Sequence, residues 1–172
     1  IKRAILLSEL KRISAIHLVE TGTYLGDTVW FFRNKVLQII SIEVDPQLAS
    51  LALRRFRGIK NITIREGDSG DMMSSVCERL HGNTLFWLDG HYSSGITGSG
   101  REHCPVWREL DAIANIKHVL ISIFIDDARL FGVDPAYPTI GALAAFASRR
   151  LPNHSFSVEN DIIMIKAPLL PL

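Results

Sequence analysis

Ile16-His17-Leu18-Val19-Glu20-Thr21-Gly22-Thr23-Tyr24-Leu25-Gly26 is the stretch on which the fold turns. A short apolar run reaches an acid, then two glycines with three residues between them. That order reads as a strand meeting a turn and handing over to a helix. Glycine at such a turn lets a backbone or ligand approach closely, because no Cβ intrudes. A helix that starts there presents free N–H groups. Taken alone, the stretch is equally a plain βα turn, and its glycines are spaced more widely than in the Gly-x-Gly-x-x-Gly of dinucleotide-binding folds.

Outward from this turn, β-rich and helical runs alternate. A helical stripe over 1–13 carries apolar residues at 5, 6, 10 and 13. After the strand at 16–19, Gly26 to Asn34 reads as a helix and Val36 to Val44 as a buried strand. Pro46 suits a first helical turn, in a helix to about Arg57 that Gly58 breaks. Strands follow at 62–65, 84–88 and 118–125, with helices over 70–80, 105–116 and 139–151. The last two runs, 155–158 and 161–165, are separated by Glu159-Asn160, so with Asp161 they read as an antiparallel hairpin. Strands alternating with helices imply a parallel sheet. The expectation is an α/β fold: three Rossmann-like layers around a seven-stranded, mostly parallel sheet with a C-terminal antiparallel hairpin.

Composition narrows the classes. The 172 residues suit a single domain over 1–172, and 47% hydrophobic with 22% charged residues is ordinary for a soluble globular chain. A net charge of +1 gives no electrostatic case for nucleic acid. Lys2-Arg3 and Lys11-Arg12 read as a solvated helix face. Charged residues interrupt every apolar run before it reaches membrane-spanning length, and the first segment lacks the apolar centre of a signal peptide. Cys77 and Cys104 form no motif, which fits a reducing cytoplasm.

Polar residues gather at the expected C-terminal ends of strands, where open parallel sheets bind ligands. Glu43, 21 residues beyond Gly22, is placed to accept hydrogen bonds from a ribose diol, while Asp45 before Pro46 suits an N-cap. In Glu66-Gly67-Asp68-Ser69-Gly70-Asp71, Asp68 or Ser69 could meet an adenine amine, and Ser69 or Asp71 could be a helix cap. Asp89 ends the fourth strand, and Asp126-Asp127 end the fifth. Carboxylates crowded together need a cation or protons to neutralise them, and hard oxygen ligands suit a divalent ion. His91 is either a general base beside them or a solvated loop side chain. His103 and Cys104 match no zinc spacing. Trp87 and Trp107 are expected in the core, and Tyr24, Tyr92 and Phe131 are candidates for a pocket wall.

Together these motifs resemble the class I S-adenosylmethionine-dependent methyltransferases. Glu20 to Gly26 is similar to their acid-x-Gly-x-x-x-Gly motif. Ile42-Glu43-Val44-Asp45-Pro46 is similar to the ribose-binding motif of catechol O-methyltransferases. Asp89 with Asp126-Asp127 resembles the magnesium site of catechol and macrolide-sugar O-methyltransferases. The resemblance implies that Glu20, Gly22, Thr23, Tyr24, Gly26, Glu43, Asp68, Ser69 and Asp89 hold S-adenosylmethionine. It further implies that Asp89, Asp126 and Asp127 hold Mg2+, that His91 is the base, and that the acceptor is a small hydroxylated metabolite or sugar. The expected partner is therefore a small-molecule substrate, without nucleic acid or membrane. Apolar surface on the first helix and at Leu169-Leu170-Pro171-Leu172 leaves a homodimer open. Gly90-His91-Tyr92 stands where the catechol enzymes carry a lysine, and the Gly-rich loop from His91 to Cys104 is longer than theirs. Two other readings keep part of this pattern: a non-catalytic cofactor-binding module, and a metal-dependent hydrolase or hydroxylase built on the Asp/His cluster.

Overall fold

Short Ile-, Val- and Leu-rich runs can bury both faces only inside a covered parallel sheet, and that is where they lie. The computed structural model describes residues 1–90 and 104–168. Among them the elements follow in order: α1 (Lys2–Arg12), β1 (His17–Thr21), α2 (Asp27–Phe32), β2 (Gln38–Glu43), α3 (Pro46–Arg55), β3 (Ile62–Glu66) and α4 (Ser69–Cys77). The second half runs β4 (Thr84–Leu88), α5 (Val106–Ile113), β5 (Ile121–Ile125), a 3-10 turn (Ala128–Leu130), α6 (Ile140–Arg150), β6 (Ser155–Glu159) and β7 (Ile162–Lys166).

The seven strands form one sheet in the order β3-β2-β1-β4-β5-β7-β6. β1 to β5 are parallel, and β7 enters antiparallel between β5 and β6. Two apolar clusters cover the two faces. One joins Leu6 and Leu10 of α1, Val29 and Phe32 of α2, and Ala52 of α3 to the sheet. The other joins Met73 of α4, Leu110 of α5 and Leu143 of α6 to the opposite face. The three-layer architecture expected from the sequence is therefore present.

The chain winds outward from β1 to β3 and crosses back to β4, so the topological switch lies between β1 and β4. Ligands of such sheets bind at the carboxyl ends of the strands flanking that point. Register puts Thr21 opposite both Ile42 and Leu88, Glu43 opposite Glu66, and Leu88 opposite Ile125. Gly22, Glu43, Gly67, Asp89 and Asp126 thus follow one another along a single edge.

One local reading needs correction. Trp107 is 39% exposed, whereas Trp87 is buried at 3%. The buried stripe of α5 is Val106, Glu109, Leu110 and Ile113, and Trp107 sits one residue off it, turned outward. The basic residues of α1 lie on its solvated face as expected, with Arg3, Lys11 and Arg12 exposed and Leu6 and Leu10 buried, although Arg12 also bonds Glu9 and the Ala167 carbonyl and Lys2 bonds Asp126. Its apolar side packs on the sheet. The hairpin is as expected. Asn160 and Asp161, at φ 53° and 65°, form the left-handed two-residue loop that matches strand twist. Leu169-Leu170-Pro171-Leu172 lies outside the described residues.

Candidate functional site

The first βα turn is shaped by its own packing. Gly22 has φ 78°, and a Cβ there would fall 2.3 Å from the Asp89 carbonyl oxygen. Gly26 has φ 77°, and its Cβ would fall 2.7 Å from the Phe56 ring. The missing side chains let the ends of β1 and β4 touch and let α2 settle on α3. Thr21 joins the same two strand ends, because its carbonyl accepts the Asp89 N–H and its hydroxyl accepts the Gly90 N–H at 3.1 Å.

Glu43 is buried at the tip of β2 and fixed at both carboxylate oxygens. Oε2 accepts the Tyr24 N–H at 2.7 Å, and Oε1 accepts the Asp45 N–H at 3.0 Å. Two carboxylate oxygens have about four acceptor sites between them, so capacity remains for a diol. The Tyr24 bond holds that residue at φ 47°, a conformation uncommon for side chains other than glycine. Asp45 caps α3 as its place before Pro46 implied, accepting from Gln47 and Leu48 N–H. Glu20 lies behind this layer. Ser41 Oγ donates to Glu20 Oε2 at 2.6 Å and is 2.7 Å from Thr23 Oγ1. Burial pushes the Glu20 carboxyl up to about 8, against hydrogen bonds from Ser41 and Thr28 and with the Glu43 charge adding to the rise. It is therefore mostly protonated at neutral pH.

Beyond β3, Asp68 is the N-cap of α4, not Ser69 or Asp71. The helix begins at Ser69, so the extended residue before it takes the cap and accepts the Asp71 N–H. Asp68 also pairs with Arg108 of α5 at 2.8 Å, and Arg108 reaches Asp71 at 2.6 Å. Beside this bridge a groove of about 350 Å³ opens between α4 and α5, lined by Gly70, Ser74, Trp107, Arg108, Asp111 and Asn115. Ser69 is buried and lies near the strand end, since a Cβ on Gly90 would fall 3.4 Å from its hydroxyl.

The rim beyond β4 and β5 differs from the sequence expectation. Among the described residues, Asp126, Asp127 and Asp161 have oxygens within 4.8 Å of one another, and that group does not include Asp89. Asp161 belongs there because β7 runs antiparallel beside β5, which returns the hairpin loop to the carboxyl edge. Asp127, at φ 53°, turns the chain sharply after β5. Asp89 is still close enough to feel the group. Burial first, then the charges of Asp126, Asp127 and Glu20, push its carboxyl to about 8, with Lys2 opposing.

Two cations already pair with the three acids of the cluster. Lys2 Nζ bonds Asp126 and lies 3.7 Å from Asp127, while Arg129 Nη1 is 2.7 Å from Asp127 and bonds Asp161. A divalent ion does not fit this arrangement without displacing Lys2. His91, Tyr92 and His103 lie outside the described residues. Phe131 is buried edge-on against Tyr137 at 5.3 Å, and Tyr24 is half-exposed at the first turn. Sequence reasoning missed Ser41, Arg108, Asp161 and Lys2. The antiparallel hairpin signalled Asp161; nothing local signals the others.

No protein-family model matches the chain, and no curated protein is similar to it in sequence. Solved structures do share its architecture. TomG, an O-methyltransferase from Streptomyces achromogenes solved with S-adenosylmethionine, aligns over 97% of this chain and 79% of its own with TM-score 0.64 and 12% identity. An O-methyltransferase from Bacillus cereus solved with S-adenosylhomocysteine aligns over 96% and 80%, with TM-score 0.65 and 12% identity. The 23S rRNA methyltransferase ErmE covers 99% of this chain and 70% of its own, with TM-score 0.59 and 16% identity. The chain has the fold of the S-adenosylmethionine-dependent methyltransferases.

Proposed function

We propose that the chain binds S-adenosylmethionine at the β1–β4 switch point and transfers its methyl group to the oxygen of a small hydroxylated acceptor. The observation that carries this reading is Glu43, a buried carboxylate fixed at both oxygens beside the Gly22–Gly26 turn. In that place it can take the ribose hydroxyls, with Asp68 and Ser69 one strand away on the adenine side. The same fold occurs in enzymes solved with that cofactor or its product, which supports the reading.

In the transfer, the acceptor oxygen forms a bond to the methyl carbon as the carbon–sulfur bond breaks. Sulfur keeps the bonding pair and becomes a neutral thioether, and the hydroxyl proton goes to a base, for which His91 is proposed. The chain's contribution is mainly to hold the two reactants in line. Magnesium, which the resemblance implies, has no part in this transfer, because Lys2 and Arg129 already pair with Asp126, Asp127 and Asp161. The same observation disfavours a metal-dependent hydrolase.

The test is transfer of labelled methyl from S-adenosylmethionine to pooled catechols and hydroxylated sugars, with structured RNA in a parallel arm. Label in the small-molecule pool is expected. Label in RNA alone would overturn the acceptor class, and tight cofactor binding with no transfer to any acceptor would make the chain a binding module.

A further inference from the structure

Three carboxylates meet at the end of β5, and two cations of the chain itself offset most of their charge. We infer that Lys2 is the resident counter-cation of this rim, and that the folded protein takes no divalent ion there. The inference does not depend on the methyl-transfer reading, since it concerns charge at the β5 end and not cofactor binding at β1–β2.

The geometry begins with the docking of α1. Leu6 and Leu10 pack on the sheet face. Glu9, 3% exposed, accepts the Ser122 hydroxyl at 2.5 Å and the Arg12 guanidinium at 2.6 and 2.8 Å. Arg12 Nη2 also donates to the Ala167 carbonyl at 2.8 Å. These contacts lay α1 along β5, with its last turn at the amino edge of the sheet and its first turn at the carboxyl edge. Lys2, in that first turn, is thereby delivered to Asp126, 124 residues away in sequence.

Each acid of the group is already engaged. Asp126 Oδ1 accepts both Lys2 Nζ and the Asp127 N–H, the latter at 2.7 Å. Asp127 Oδ1 lies 3.7 Å from Lys2 and 2.7 Å from Arg129. Asp161 accepts the Arg129 N–H at 2.9 Å and bonds its guanidinium. Of the two cations, Lys2 matters more. Its side chain is 37% exposed against 60% for Arg129, and Asp126 is 8% exposed, so solvent screens that pair less. A divalent ion needs direct contact with these carboxylate oxygens, and an ammonium on Asp126 Oδ1 both repels it and has already offset part of the negative charge it would need.

Manganese titration, read by the loss of free-ion paramagnetic signal, tests this on the whole chain. The wild type is expected to show no saturable site tighter than about 1 mM, the weak limit of natural calcium sites. Lys2→Met keeps the stem and removes the charge. It is expected to gain one site per chain, with a melting temperature that rises on adding magnesium. Lys2→Arg should behave like the wild type, and Lys2→Met combined with Asp126→Asn should lose the gained site. A purely structural role for Lys2 would destabilise the protein without creating a site. A wild-type site that Asp126→Asn abolishes would overturn the inference, as would a folded Lys2→Met that binds no more manganese than the wild type. If Lys2→Met does not fold, the wild type compared with Asp126→Asn decides.

Discussion

The two halves of the carboxyl edge hold the same kind of side chain by different means. At β1 and β2, Glu43 is held by backbone N–H groups, and Glu20 by hydroxyls and its own proton. At β5 and the hairpin loop, Asp126, Asp127 and Asp161 are held by Lys2 and Arg129. Burying an acid costs free energy unless something replaces water. Hydrogen-bond donors from the local turn leave a carboxylate negative and able to accept more, which suits a ligand rich in hydroxyls. Cations, one brought from a distant helix and one from the adjoining 3-10 turn, offset most of the charge and engage the oxygens. The same residue type at equivalent strand ends can therefore mean a binding site in one place and a structural tie in the other.

The sharpest break of this contrast is at the joint between the halves. Gly22→Ala would drive a Cβ into the Asp89 carbonyl and place alanine at φ 78°. A loss of about 3 kcal/mol is expected in urea unfolding, at the upper end for single substitutions. Removing the cation of the second half costs less. Lys2→Met leaves Asp126 buried without its partner, but partial exposure of Lys2 reduces the full penalty of a broken buried pair to about 1–2 kcal/mol.

The protons of the first half give a pH signature. Glu20 and Asp89 both titrate near 8 in the folded chain, well above an unfolded carboxyl. Between those limits the folded state binds protons that the unfolded state has released. Their contribution is fully present below about pH 4 and is lost as pH rises through about 8, with a slope of up to about 1.4 kcal/mol per pH unit for each group. Thermal melts across this range should show the decline, and Glu20→Gln should flatten it. The smallest effects are expected at the two caps. Asp45→Ala and Asp68→Ala should each cost about 1 kcal/mol in the same unfolding assay, with Asp68→Ala also removing one of the ion pairs of Arg108.

Features written in local sequence were legible. β4 spans Thr84–Leu88 as the apolar run between Asn83 and Asp89 predicts, the Asp45-Pro46 cap is in place, and Asn160-Asp161 makes the hairpin loop. The run from His118 overstated β5, which starts at Ile121, because His118 bonds the Leu80 carbonyl and the Leu120 N–H bonds Asn83. Those bonds belong to the approach to the strand, not its ladder. The rim beyond β5 was legible only as a group of acids. Its partners arrive from α1 and from the hairpin, and residue spacing carries no signal of Lys2 meeting Asp126 or Glu9 meeting Ser122. Gly22 was legible as a turn, but its collision partner across the switch point required the register of β1 against β4.

Calorimetric titration with S-adenosylhomocysteine tests the central claim most directly, comparing the wild type with Glu43→Gln. The account predicts one site per chain in the wild type, weakened at least tenfold by Glu43→Gln, which corresponds to about 1.4 kcal/mol. It also predicts that neither titration changes with added magnesium. No binding to the wild type, or binding that a folded Glu43→Gln retains in full, would contradict it.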